Sequence, residues 1–123
     1  MTFSDKLKQT KESYPFALWS ARFDDGLEQY TPENVNSARA ILDRLIDNLS
    51  SAGENANEAV KVSHFKASVE ALNDLNDQLD GCLIETGERE ELCELFDVIA
   101  SAAGLDPSIY GDGDGIASEW RDW

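Results

Sequence analysis

The sequence predicts an all-α fold: a single-domain helical bundle of three long and one or two short helices, with a Gly/Asp-rich C-terminal loop. Three observations carry that prediction. Apolar residues recur at spacings of three and four along three long stretches, and a glycine closes each stretch. No segment alternates apolar and polar residues, with β-branched side chains, for the length of a strand. At 123 residues the chain can bury one core and is too short for two, so one domain is expected over residues 1–123.

The N-terminal elements come first. Met1 to Lys11 carries three lysines with no apolar run behind them, which does not read as a signal peptide. Ser4 is expected to cap a short helix running through Glu12. Phe16, Trp19 and Phe23 fit a second amphipathic segment before the Asp25-Gly26 turn.

The first long helix opens at Thr31-Pro32, a cap followed by a proline whose missing N–H costs nothing at that position. Val35, Ala38, Leu42, Leu45, Ile46, Leu49 and Ala52 then form one apolar stripe, and Gly53 is placed to end it. The second begins near Asn55 or Asn57 and runs to about Asp80, with Phe65, Val69, Leu72, Leu75 and Leu79 on one face and Gly81 as its stop. The third starts near Thr86-Gly87, carries Leu92, Leu95, Phe96, Ile99 and Ala103 on one side, and stops at Gly104. Glu88, Glu90 and Glu91 crowd its first turn, where the helix dipole favours them. Beyond Gly104 the chain reads as loop, punctuated by Asp106-Pro107 and by Gly111, Gly113 and Gly115, with a closing turn at Ser118 to Trp123.

Charge is distributed unevenly along this frame. Residues 1–66 hold 8 Lys/Arg against 10 Asp/Glu, while residues 67–123 hold only Arg89 and Arg121 against 15 acids, so nearly all of the net −15 lies in the second half. Such a field repels nucleic acid and anionic membrane and attracts basic partners. At 100° per residue, Glu70, Asp74 and Asp77 line the second long helix opposite its apolar face, and Glu90, Glu94 and Asp97 do the same on the third. Like charges at i,i+4 cost each helix roughly 0.2–0.5 kcal/mol per pair, and a surface selected only for solubility mixes signs. These six residues are therefore the candidate docking surface for a basic protein partner.

No constellation for catalysis or cofactor binding emerges. His64 is the only histidine and has no nucleophile motif around it. Cys82 and Cys93, eleven residues apart, fit neither a zinc pattern nor Cys-x-x-Cys, and Cys93 beside Leu92 reads as a buried free thiol. The run Gly111-Asp112-Gly113-Asp114-Gly115 resembles part of an EF-hand loop, but Tyr110 occupies its first ligand position and Glu119 falls two residues early. No metal, no cofactor and no enzymatic activity are expected. No apolar run of roughly 18 residues is present to cross a membrane. A cytoplasmic location is the default. Trp120 and Trp123 are expected to fold back onto the core, with Arg121 paired to a nearby carboxylate.

Several segments carry a resemblance. Ser63-His64, Leu72-Asn73-Asp74-Leu75, Ile84-Glu85-Thr86 with Arg89, Ile99-Ala100, Gly104-Leu105-Asp106 and Glu119-Trp120-Arg121-Asp122-Trp123 look like a family of small uncharacterised bacterial helical proteins, a domain of unknown function. The resemblance covers roughly residues 60–123, implies a compact helical fold and supplies no catalytic residues. In general character the chain is also similar to acidic immunity proteins that neutralise toxins. Two readings follow. One is a non-enzymatic acidic interaction protein, an inhibitor or immunity-type protein masking a basic surface of a partner such as a toxin domain. The other is a helical domain of structural or housekeeping role, acidic for solubility and self-associating through an apolar patch.

Overall fold

Thr2 starts the first helix. Its hydroxyl accepts the Asp5 N–H at 3.1 Å while the Asp5 carboxylate accepts the Thr2 N–H at 3.3 Å, a reciprocal cap. In the computed structural model, which describes Met1–Trp123, helix α1 accordingly spans Phe3–Gln9. Ser4, the expected cap, sits inside α1 against Ser50. The chain then tightens into a 3-10 turn over Thr10–Ser13 rather than continuing as α-helix to Glu12, and the Thr10 hydroxyl donates to the Leu7 carbonyl there.

Helix α2 spans Phe16–Asp24 and buries Phe16 and Trp19. Phe23, expected on the same face, is 38% exposed, because by that turn the inward direction belongs to Arg22. Helix α3, Pro32–Ala52, is capped by Thr31, whose hydroxyl accepts the Asn34 N–H at 3.1 Å. Its buried set is the expected stripe from Val35 to Leu49. Helix α4, Glu58–Gln78, is capped by Asn57 and ends two residues before Asp80. There Asp80 and Gly81 both turn left-handed, at φ 58° and 72°, and the Gly81 N–H reaches back to the Asn76 carbonyl at 2.8 Å. Helix α5 spans Thr86–Ala102.

The five helices contain no strand between them, in agreement with the all-α prediction, and their faces merge into a single cluster of 24 buried apolar residues. Helices α3 and α4 form the principal pair. Across the core Phe65 of α4 meets Phe96 of α5 edge-on, with ring centroids 6.5 Å apart. A chain of aromatic rings, Tyr14, Phe16, Trp19 and Tyr30, continues that core under α2 at centroid separations of 5.0, 5.2 and 5.8 Å. Tyr30 then donates its hydroxyl to the Leu83 carbonyl at 3.1 Å, joining the start of α3 to the α4–α5 connection.

The C-terminal segment is more ordered than a loop. It forms three short 3-10 turns, at Pro107–Ile109, Gly111–Gly113 and Ile116–Glu119, the last lying earlier than the expected closing turn. The turn Ile116–Glu119 packs against both α4 and α5 and so helps to bridge them. Asn73 of α4 holds the chain beyond it, donating to the Trp120 carbonyl and accepting the Asp122 N–H, each at 3.0 Å. Tyr110 donates its hydroxyl to Glu58 at the start of α4. Burial, with the Glu58 carboxylate second, pushes the Tyr110 phenol up to about 12. Trp123 is buried and Trp120 packs half-buried on the core, as expected of both. Arg121, however, donates to the Ser118 hydroxyl at 3.3 Å and to the Trp123 main-chain oxygen instead of a side-chain carboxylate.

Candidate functional site

The acidic faces survive folding in large part. Glu70, Asp74 and Asp77 on α4 and Glu90 and Glu94 on α5 are exposed, and none of them forms an ion pair. The helical register fixes where they stand. On α4, Glu70 and Asp77 lie within about 60° of Asn73, which grips the C-terminal segment. On α5, Glu90 and Glu94 lie within about 60° of Asp97, which touches the same segment. Each acidic stripe therefore flanks one side of the Ile116–Trp123 stretch.

Asp97 differs from the other five. It is half-buried, its Oδ1 accepts the Ile116 N–H at 3.1 Å, and burial, partly offset by that hydrogen bond, raises its pKa above the ordinary carboxylate range. Gly115 makes this contact possible: at φ 110° it presents bare backbone, and a Cβ there would lie 2.6 Å from an Asp97 carboxylate oxygen. Asp97 thus anchors the C-terminal turn to α5.

Two of the acids expected at the start of α5 also reach across to another helix, although Glu88 still accepts the Glu85 N–H at 3.3 Å within the cap of α5. Glu88 is buried and Glu91 half-buried, and both turn towards Arg22 of α2. The Arg22 guanidinium donates to Glu91 through both terminal nitrogens, at 2.8 and 2.9 Å, and to Glu88 at 2.5 Å. The Trp19 indole adds a donor to Glu91 at 3.1 Å. Burial on its own would raise the Glu91 pKa, but the hydrogen bonds from Arg22 and Trp19 and the Arg22 charge overcome it, leaving a net lowering. Arg22 is driven in the complementary direction, upward, first by its hydrogen bond to Glu91. This network fastens α2 onto α5.

Beside that network runs a groove between α5 and the Thr10–Ser13/α2 stretch, with a cavity volume of about 400 Å³. Leu18, Leu95 and Val98 supply its apolar surface, and Glu12, Glu91 and Glu94 its carboxylates. Glu94 therefore belongs to both the acidic stripe and the groove. Sequence periodicity missed Glu12, Leu18 and Val98, although an apolar residue on the polar side of a helix was a legible signal for the last two.

The remaining candidates offer less. His64 is half-buried beside Arg44 and Ser68 in a recess of about 40 Å³ between α3 and α4, room for little more than a water. Nowhere do three or more His, Cys, Asp or Glu side chains converge as a metal would require. In the Gly/Asp loop, the Glu119 carboxylate accepts the Gly111 N–H at 2.7 Å. Cys93 is half-buried rather than buried, burial raises its thiol pKa, and Cys82 is exposed and free. No helix is long and apolar enough to cross a membrane.

The model of a family of unknown function, DUF5713, matches residues 24–123. The chain belongs to this family. The match extends well upstream of the residues that carried the resemblance, taking in all of α3, and it leaves α1 and nearly all of α2 outside. This chain's acidic stripes on α4 and α5 and its Asn73-clamped C-terminal segment fall inside the match, whereas Glu12 and Leu18 of the groove do not. No curated protein and no solved structure matches the chain.

Proposed function

We propose that this chain is a non-enzymatic acidic interaction protein, of the inhibitor or immunity type, acting in the cytoplasm by masking a basic surface of a partner protein. The observation that supports the reading most is the set of five exposed, unpaired carboxylates, Glu70, Asp74, Asp77, Glu90 and Glu94, of which all but Asp74 stand beside the residues that hold the C-terminal segment. Unpaired like charges on neighbouring turns weaken a helix and give nothing back inside the molecule. Opposite a basic surface, such as the active site of a nuclease-type toxin, they accelerate association and set orientation. Asp97 supports the surface by holding the C-terminal turn in place.

The test begins with a low-salt capture of the partner and its release at high salt. Association is then followed by stopped flow for the native chain and for Asp77→Lys/Glu94→Lys. The fold should persist, since both positions are exposed and the substitutions relieve repulsion. Association should slow and its salt dependence flatten. Equal rates at low ionic strength for the two proteins would refute the reading.

A further inference from the structure

Along α5, the groove described above does not end at Val98. A second depression of about 280 Å³ shares Glu12, Ser13 and Val98 with it and continues past Ala102 to Lys6. On α5 the combined trough is lined at positions 91, 94, 95, 98 and 102, a single stripe at helical spacing. From position 91 to position 102, eleven rises of about 1.5 Å make it about 16 Å long, three turns of a helix. That length suits a polypeptide segment better than a compact metabolite.

We infer that this trough receives a basic amphipathic helix of the partner protein, an inference that rests on the interaction role proposed above. Its apolar floor is already open to solvent: Leu18 is 57% and Val98 36% exposed, with Leu95 beneath them. Its charge is graded. Glu94 stands unpaired at the Leu18 end, where Glu91 is already engaged by Arg22, Glu12 stands unpaired where the two depressions meet, and Lys6 stands at the other end. A helix carrying Lys or Arg at one end and Leu-type side chains along one face matches both features. A second copy of this chain does not, because its own net charge of −15 would be brought against the same carboxylates.

The probe is a synthetic peptide of leucine and lysine patterned at helical spacing, compared with a scrambled peptide of identical composition and with oligolysine of equal charge. Binding to the ¹⁵N-labelled full chain is followed by NMR. The patterned peptide should shift the amides of Ser13, Leu18, Glu94 and Val98, together with the Trp19 indole N–H, which donates to Glu91 on the groove wall. It should bind about tenfold more weakly to Leu18→Ser/Val98→Ser, a variant whose thermal midpoint stays near the native value because both side chains are exposed in part. Equal binding of patterned and scrambled peptides, or dimerisation of the chain through this face, would overturn the inference. If oligolysine nonetheless shifts Asp74, Asp77 and Glu90, the acidic-surface reading stands without the trough. If no cationic probe shifts any of these residues, both fall together.

Discussion

Replacing Arg22 by methionine isolates the charge network that holds α2 against α5. The substitution keeps most of the aliphatic stem and removes three hydrogen bonds, one to Glu88 and two to Glu91. The two carboxylates suffer unequally. The Glu91 side chain is 24% exposed, so water re-solvates it and its share is under about 1 kcal/mol. The Glu88 side chain is only 8% exposed and is left as a buried charge without its cation. Breaking a buried pair from one side costs about 3–5 kcal/mol, and the partial exposure of Arg22 at 27% places the expected loss near the lower bound, about 3 kcal/mol. For a domain of this size that is a fall of about 10–15 °C in Tm. The pH dependence follows from the pKa directions. Glu91 is held below its unfolded value, so its stabilisation is present above the ordinary glutamate pKa of about 4.3 and is lost as pH falls through the lower folded value. The gap between native and Arg22→Met proteins should therefore narrow from pH 7 towards pH 3. Urea unfolding followed by circular dichroism measures both quantities. Adding Glu88→Gln to Arg22→Met should recover more than half of the loss. A loss under about 1 kcal/mol at pH 7, or one that stays constant to pH 3, would refute the network as the fastening of α2.

Two further substitutions probe the core and its connections. Leu72→Ala and Phe96→Ala each truncate a fully buried side chain and should lower stability by about 2–5 kcal/mol in urea unfolding, against a change within about 0.5 kcal/mol for Leu18→Ala on the surface. Asn76→Ala should cost about 2–4 kcal/mol, because its carbonyl oxygen accepts the buried Leu83 and Ile84 N–H groups at 3.1 and 3.0 Å; hydrogen exchange at those two amides should accelerate, while Asn76→Asp, which keeps the acceptor, should preserve their protection.

Much of this molecule was legible in the sequence because its determinants are local. Helix α3 could be read from Thr31 to Gly53, since a capping hydroxyl, a first-turn proline, a 3.6-residue apolar period and a left-handed stop all act within a few residues of where they stand. The inward faces of α4 and α5 followed from the same periodicity, and so did the exposure of Glu70, Asp74, Asp77, Glu90 and Glu94 on the opposite sides. The α1 cap was equally local but demanded a choice between Thr2 and Ser4, which the reciprocal bond with Asp5 settles in favour of Thr2.

What only the tertiary structure decided is every role that needs a partner far along the chain. Asp97 and Glu94 sit three residues apart on α5, yet one is an anchor and the other a free surface charge, because Ile116 donates a main-chain N–H to the first from nineteen residues away. Glu88 and Glu91 stand near the start of α5 as its dipole favours, and Glu88 closes the cap there, but that both also pair with Arg22 of α2 is decided only by the fold. The Gly/Asp segment reads as loop because its glycines disfavour regular structure; it forms turns where Glu119 accepts the Gly111 N–H and Asp97 the Ile116 N–H, while Asn73 holds the chain beyond it. The trough between α5 and the N-terminal elements exists in neither wall alone. Periodicity reports which way a side chain faces relative to its own helix axis; what stands opposite that face is set by packing between segments remote in sequence, and no local pattern encodes it.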